Sequence, residues 1–157
     1  IKHDIAIYAI HTNLDSVSAG VNRKLGELIG LQDLRVLVPK TDTLSKLVTF
    51  VPQPDTEKVL TALYEAGAGQ IGNYKNCSFR TSGTGTFLPT EAANPHIGTA
   101  NKQELVQEDR IEVLVAAHLQ HKVLEALRNA HPYEEVAYYL SELINENQEV
   151  GAGMIGT

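Results

Sequence analysis

The sequence predicts an α/β segment at the start of the chain and an α+β fold after it. A gap-free internal repeat lies in the middle, where residues 46–67 align on residues 110–131 at a constant offset of 64. An apolar run and an amphipathic helical pattern precede it. The 157 residues are 43% hydrophobic and 20% charged, which is typical of a globular protein with a real core.

The first predicted element is a strand at residues 5–10, "IAIYAI". Its apolar side chains follow one another without alternation, which is typical of a strand buried on both faces of a parallel sheet. A helix is expected after it, with Ser18 as its N-cap. The apolar face of that helix recurs at helical spacing. It consists of Val21, Leu25, Leu28 and Ile29.

Polar side chains follow the predicted strand in "HTNLD", residues 11–15. Ligand sites of open α/β sheets form beyond the carboxyl ends of strands, which is where His11 and Asp15 would lie. An imidazole and a carboxylate so placed are candidate ligands of a metal ion. Asp15 or Asn13 could equally well serve only to turn the chain towards the helix. Both interpretations stay open on these residues alone.

The repeat predicts two β-α halves. Strands are expected at residues 47–51 and 111–115, which are rich in apolar and β-branched side chains. The triplet Lys-Val-Leu recurs at residues 58–60 and 122–124 and opens the apolar face of a helix in each copy.

A further strand is predicted after each helix, at residues 73–83 and 136–143. Two β-α-β halves in tandem give a split β-α-β, ferredoxin-like sandwich, with one antiparallel sheet and both helices on one of its faces. Residues 84–109, between the halves, hold prolines and small polar residues, and we expect a short strand and an exposed loop there.

The single cysteine, Cys77, lies in a predicted strand, where we expect a buried, inert thiol. One cysteine excludes an internal disulfide framework and a thiolate zinc cage, and an intracellular, cytoplasmic location is the expectation. His118 and His121 have a spacing that can bind metal, but no third ligand is evident, so an exposed helix entry is expected.

The formal net charge of −6 argues against a nucleic-acid or anionic-membrane partner, since either would need a basic surface. No apolar run approaches the roughly 18–20 residues of a membrane span, and the start of the chain does not resemble a signal peptide. The chain enters a strand pattern almost at once and stops after a glycine-rich turn. We therefore expect it to be an internal segment of a longer protein.

The segment "HPYEE", residues 131–135, lies between the second predicted helix and the last predicted strand. Pro132 cannot continue a helix, and it pushes His131 towards extended geometry. A helix stop explains the segment without a ligand. A tyrosine and two glutamates in the turn are also compatible with a binding surface.

The His-Pro-Tyr-Glu sequence between a helix and a strand resembles the signature of the CutA family of trimeric, ferredoxin-like proteins, relatives of the PII-like signalling proteins. Residues 82–98, followed by "RIEVLV", are similar to the CutA-like domain inserted into YqfO-type proteins. Those are long members of the NIF-three-like family, also called the YbgI-type or dinuclear metal centre family. Residues 7–31 resemble the core of that family, and "GAGMIG" resembles the point at which the chain re-enters this core. The resemblance implies an α/β core fragment at residues 1–45, an inserted ferredoxin-like, CutA/PII-like domain at residues 46–143 and the start of the return to the core at residues 144–157.

The resemblance implies a site of two divalent metal ions, with zinc, iron, manganese and magnesium all compatible. It implies that Asp15 is a carboxylate ligand and that His11 lies beside the metals, as a ligand or as a catalytic acid–base group. The other family ligands, a His-His pair and a His-x-x-x-Glu motif, are expected outside this chain.

The activity that the resemblance implies is metal-assisted hydrolysis of an unknown substrate, because two divalent ions can activate a shared water. Some members of the family carry a GTP-cyclohydrolase-like label. The alternative is a regulatory or scaffolding protein with a structural metal site, whose inserted domain senses a ligand or forms trimers. The expected assembly is a homohexamer with trimeric contacts through the insert.

Overall fold

The computed structural model describes residues 3–157, which form two compact units. Unit 1 comprises residues 3–41 and Ile144–Thr157, and unit 2 comprises Asp42–Leu143. Within residues 3–157, no helix is both long enough and apolar enough to span a membrane. The elements in chain order are a 3₁₀ helix at Asn13–Ser16, α1 (Val21–Leu28), β1 (Arg35–Lys40), β2 (Leu44–Pro52), a 3₁₀ helix at Gln53–Asp55, α2 (Thr56–Glu65), β3 (Ser78–Phe87), β4 (Glu104–Ala116), a 3₁₀ helix at Ala117–Leu119, α3 (Gln120–Ala130), β5 (Tyr138–Leu143) and β6 (Asn147–Ile155).

Unit 1 is built on a two-stranded antiparallel ribbon of β1 and β6. Val36 lies in this ribbon with only 1% of its surface exposed. The backbone of the residues before α1 joins β6, since the Ser18 amide donates a 2.9 Å hydrogen bond to the Glu149 carbonyl. Gly151 is required where β6 meets β1, because a Cβ there would overlap the Val38 carbonyl oxygen. The ribbon therefore joins two parts of the sequence that lie on either side of unit 2.

The predicted strand at residues 5–10 is wrong for this chain. The structure assigns no strand to these residues, and the Ile7 side chain is 93% exposed. A strand buried on both faces needs neighbouring strands to complete its hydrogen bonds and cover its side chains. The described residues of unit 1 supply no such neighbours to this segment.

The predicted helix is confirmed as α1, but its predicted cap is wrong. The helix begins after Gly20, and no side chain caps it. The Ser18 hydroxyl instead donates to Oε2 of Glu149 at 3.0 Å. The predicted apolar face is exposed, because the described residues do not cover it. Its side chains are exposed by 52% (Val21), 56% (Leu25), 73% (Leu28) and 68% (Ile29).

Unit 2 has the topology that the repeat predicts. Its four strands form one sheet in the order β3-β4-β2-β5, and every neighbouring pair is antiparallel. The second half copies the first, since α3 begins at Gln120, which is 64 residues after the start of α2 at Thr56. A 3₁₀ turn precedes each helix at the same offset. These features define the split β-α-β sandwich.

Both helices pack on one face of the sheet, where they form a single hydrophobic core. Alternate side chains of β2 and β4 point into it, as period-two burial requires. The helices contribute residues at i, i+1 and i+4 spacing, as predicted. The fully buried members are Leu47, Val51, Val59, Leu63, Ile111, Val123 and Leu127.

One buried carboxylate lies at the edge of this core. Asp109 on β4 is 8% exposed and accepts hydrogen bonds from the hydroxyls of Ser82 at 2.7 Å and Thr56 at 3.0 Å. The hydrogen bond from Ser82 is the main cause that lowers the pKa of Asp109 below its ordinary value. Asp109 thereby joins the first residue of α2 to β3.

Two predictions on the segment after α2 need correction. The strand begins at Ser78, five residues later than predicted, because the Cys77 amide donates to the Gly69 carbonyl at 2.9 Å and not to β4. Cys77 therefore lies outside the strand and is half-buried. The short strand and loop predicted at residues 84–109 are also wrong in part: no separate strand forms there, because β3 and β4 extend into this segment and leave residues 88–103 between them.

Candidate functional site

His11 and Asp15 lie in unit 1, at the turn between residues 4–10, which form no helix or strand, and α1. His11 has a φ of 30°, a left-handed conformation that residues other than glycine adopt rarely. Asp15 lies in the 3₁₀ helix Asn13–Ser16, and its amide donates to the Thr12 carbonyl at 3.1 Å. The side chain of Asn22 donates to the Asp15 carbonyl oxygen at 2.8 Å, which holds this turn against α1.

Both side chains are exposed and keep their ligand atoms free. No residue among 3–157 donates a hydrogen bond to the Asp15 carboxylate or forms an ion pair with it. Within the same residues, no three His, Cys, Asp or Glu side chains are grouped so as to hold a metal ion. His11 and Asp15 are thus suitable donors for a metal centre, but the described residues do not complete a ligand set. His118 and His121 lie exposed at the start of α3, as predicted.

Unit 2 contains a cavity of about 710 Å³. It lies on the sheet face opposite the two helices, and three parts of unit 2 meet around it: the end of β3, the loop after β3 and the "HPYEE" turn before β5. Aromatic rings, threonine hydroxyls and carboxylates line its wall. The lining residues are Phe50, Thr81–Thr90, Ala93, Pro95, His96, Ile97, Glu108, Arg110, Tyr133, Glu134, Glu135, Ala137 and Tyr139.

Two residues of this wall, Tyr133 and Glu108, form a hydrogen bond with each other. The Tyr133 hydroxyl donates to Oε1 of Glu108 at 2.9 Å, and Glu108 is only 8% exposed. Burial, together with this hydrogen bond, raises the pKa of the Tyr133 phenol above its ordinary value of 10.0. Gly85 on the neighbouring strand β3 leaves room for the pair, because a Cβ at that position would overlap the Glu108 carboxylate.

His131 fixes the start of the turn that carries Tyr133. Its Nδ1 accepts the Tyr133 backbone N–H at 3.1 Å, so the ring proton lies on Nε2, which donates to the Phe50 carbonyl at 2.9 Å. Both ring nitrogens of the neutral imidazole are therefore used. Burial lowers the pKa of His131 below its ordinary value of 6.5. The turn thus depends on a neutral histidine.

The Tyr133 ring is enclosed by three other rings. Its centroid lies 5.1 Å from that of His131, 6.0 Å from that of Phe87 and 6.3 Å from that of His96. Ring pairs at such separations stabilise one another beyond their area of contact. The enclosure restricts the ring and so holds the hydroxyl towards Glu108.

The cavity lining carries more negative than positive charges. Glu108, Glu134 and Glu135 line it, against a single guanidinium from Arg110. Arg110 is already paired, since its Nη2 lies 2.7 Å from Oε1 of Glu112. Glu134 is held in place by the backbone N–H of Asn94, which donates to its Oε1 at 2.9 Å. The lining is therefore net negative.

The sequence singled out some of these residues and missed others. The helix stop in "HPYEE" is confirmed, because α3 ends at Ala130 immediately before His131. The same segment also borders the cavity, so its two interpretations are compatible. Glu108 and Gly85 were missed. The run "TSGTGT" was a signal for them, since glycines at alternate strand positions leave one face of β3 without side chains.

The fold defines the protein as an α/β protein with a ferredoxin-like α+β unit. The family model described as Duf34/NIF3 (NGG1p interacting factor 3) matches residues 1–147. The chain belongs to this family.

Relatives of the chain include two proteins named "GTP cyclohydrolase 1 type 2 homolog". The one from Halalkalibacterium halodurans is 50% identical over 157 residues, which are 99% of this chain and 42% of the relative. The one from Bacillus subtilis is 44% identical over 158 residues, with coverage of 100% and 42%. The chain therefore spans about 42% of the length of these relatives.

Two solved structures resemble the chain to different extents. The Bacillus cereus protein related to NIF3 has a TM-score of 0.83 and 48% identity, and the match covers 99% of this chain and 41% of that one. CutA from Synechococcus elongatus has a TM-score of 0.50 and 16% identity, covering 72% of this chain and 84% of that one. At that identity, the likeness to CutA shows the fold alone.

Proposed function

We propose that the whole protein is a metal-dependent hydrolase in which Asp15 supplies a carboxylate ligand to a centre of two divalent ions. His11 lies beside the ions and acts as a further ligand or as an acid–base group. The observation that carries this proposal is the free Asp15 carboxylate, which is exposed and makes no hydrogen bond or ion pair with any described residue. Membership of the family whose relatives are named as cyclohydrolase homologues supports it.

The ions are zinc, iron, manganese or magnesium, because imidazole suits zinc and iron and carboxylate suits manganese and magnesium. A pair of such ions would lower the pKa of a bound water and polarise the bond that is attacked. Asp15 would offset part of their positive charge, and the His11 imidazole could take up or give back a proton at the reacting water. The remaining ligands would come from parts of the whole protein beyond these 157 residues.

Turnover by the full-length protein before and after chelation tests this proposal. GTP is the first substrate to assay, because the curated relatives carry it in their name. We expect hydrolysis that disappears on chelation and returns when one of the four metals is added back. A metal-loaded protein that hydrolyses neither GTP nor a panel of phosphate esters and amides would contradict the hydrolase assignment.

The second candidate is a regulatory or scaffolding protein in which unit 2 is an inserted CutA/PII-like domain. Its support is the position of unit 2 between β1 and β6, its fold and its cavity. In this candidate the metal site is structural, unit 2 senses a ligand or forms trimers, and the whole protein is a homohexamer. Full metal content and a hexameric mass without turnover would favour it over the hydrolase.

A further inference from the structure

Glu108 has one carboxylate oxygen that nothing in unit 2 satisfies. Tyr133 occupies Oε1, whereas Oε2 accepts no hydrogen bond and forms no ion pair with any described residue. No fully enclosed side-chain oxygen among residues 3–157 lacks a partner, so Oε2 must keep access to open space. That space is the cavity, which Glu108 borders although it is 8% exposed. Gly85 allows the carboxylate this position, because Oε2 occupies the space that a Cβ at Gly85 would fill.

A carboxylate in this position favours a cation. A partly desolvated carboxylate has lost water and gains more from a charged donor than from a neutral one. Glu134 and Glu135 add to the negative potential, and the one guanidinium of the lining, that of Arg110, is held by Glu112. An anionic ligand would meet repulsion from three carboxylates and no free cation.

The rest of the lining indicates an organic body. Phe50, Phe87, Tyr133 and Tyr139 supply aromatic surface, and such rings attract cations as well as apolar groups. A metal ion is disfavoured, because no three potential ligands are grouped among the described residues. The cavity volume of about 710 Å³ lies within the range of sites for small organic molecules, roughly 300–1,000 Å³.

We propose that the cavity of unit 2 binds a small organic cation with an aromatic body, whose ammonium or amidinium group lies against Oε2 of Glu108. The inference deepens the ligand-sensing alternative of the proposed function and is independent of hydrolysis by the metal centre. If the cation binds but changes neither turnover nor assembly of the full-length protein, the site stands and its regulatory role fails.

Three indole compounds of similar shape test the charge preference. Tryptamine carries a positive charge, indole-3-propionamide is neutral and indole-3-propionate is negative. The protein has no tryptophan, so the fluorescence of the bound indole can be followed directly in a titration of the 157-residue chain. We expect saturable binding of tryptamine, with an affinity about tenfold to hundredfold above that of the propionate.

Three variants test which carboxylate causes the preference for a positive charge. Glu108→Gln keeps the shape of the side chain and an acceptor for Tyr133 but removes the charge, so tryptamine should lose its advantage over the amide. Glu142→Gln is the matched control, because Glu142 is an exposed carboxylate of β5 that does not line the cavity. The double variant Glu134→Gln/Glu135→Gln changes exposed residues only and should weaken tryptamine by a smaller factor.

Three outcomes would overturn the inference. They are the absence of saturable tryptamine binding, equal or tighter binding of the propionate, and tryptamine binding by a folded Glu108→Gln protein that equals the wild type. If Glu108→Gln does not fold, the charge series in the wild type and in the double variant decides the question.

Discussion

The Tyr133 hydroxyl donates a 2.9 Å hydrogen bond to Oε1 of Glu108, and this contact joins the "HPYEE" turn to β4. The two residues are 25 positions apart in sequence and belong to different elements. The bond therefore fixes the turn against the sheet and shapes one wall of the cavity.

Replacing Tyr133 by Phe should destabilise unit 2, because it leaves the buried Glu108 carboxylate without its one hydrogen-bond donor among residues 3–157. We expect a loss of about 1–3 kcal/mol in the free energy of unfolding, measured by urea denaturation. Tyr74→Phe is the control, since the Tyr74 side chain is exposed and its residue is held by backbone bonds only. Equal stability of the two variants would show that the Tyr133–Glu108 bond contributes nothing.

The stability of unit 2 should fall as the pH drops below 6.5. Burial lowers the pKa of His131 in the folded state, so the unfolded state binds more protons between that lowered pKa and 6.5. The stabilising effect of the neutral ring is thus complete above pH 6.5 and is lost below it. Protonation of Nδ1 would also break its bond with the Tyr133 amide. Nearby Glu108 and Asp55 oppose the lowering, and His96 adds to it.

Urea midpoints measured from about pH 7.5 to about pH 5.5 should show this slope in the wild type and a smaller one in His131→Gln. His118→Gln, which changes an exposed histidine at the start of α3, should keep the wild-type slope. A slope that survives unchanged in His131→Gln would assign the effect to another group.

Unit 2, Asp42–Leu143, should fold by itself. Its core is built from both halves of the repeat, and it lies entirely within these residues. We expect one cooperative transition in a urea titration of this fragment, as is usual for single domains of this size. A gradual, non-cooperative loss of circular dichroism would contradict the separation into two units.

The same fragment should associate into trimers at micromolar concentration. β3 and β5 are the sheet edges, and the Phe79 side chain on β3, which does not line the cavity, is 67% exposed. Unpaired strand edges and exposed aromatic rings are the features that self-association covers. Light scattering that records only monomer over the accessible concentration range would refute the prediction.

The fold of unit 2 was predictable because each half of the repeat carries its own pattern. Strand residues such as Ile111 alternate in burial, and helix residues such as Leu127 recur at helical spacing, so both lie on the core face. The late start of β3 was not predictable, since Tyr74 and Cys77 continue the alternation of the strand. The backbone hydrogen bond from the Cys77 amide to the Gly69 carbonyl sets where β3 begins, and the side-chain pattern does not encode this bond.

The candidate sites were also predictable only in part. Asp15 and His11 stood out in the sequence because they are polar residues that follow an apolar run. The burial predicted for that run needs neighbouring strands, which the described residues do not supply. Glu108 lies in the charged run "ELVQEDR", residues 104–110, and such a run is usually a solvated surface. Its burial arises from the contact with Tyr133 across 25 positions, which no local pattern encodes.

Metal content of the full-length protein tests the central claim most directly. Elemental analysis should find two equivalents of a divalent metal per wild-type chain, and Asp15→Asn should lose at least one with its circular dichroism unchanged, because the variant removes an exposed ligand and no core contact. Glu27→Gln is the matched control, since Glu27 is an exposed carboxylate of α1 that pairs only with Lys24. Metal content in Asp15→Asn equal to that of the wild type and of Glu27→Gln would contradict the assignment of Asp15 as a ligand.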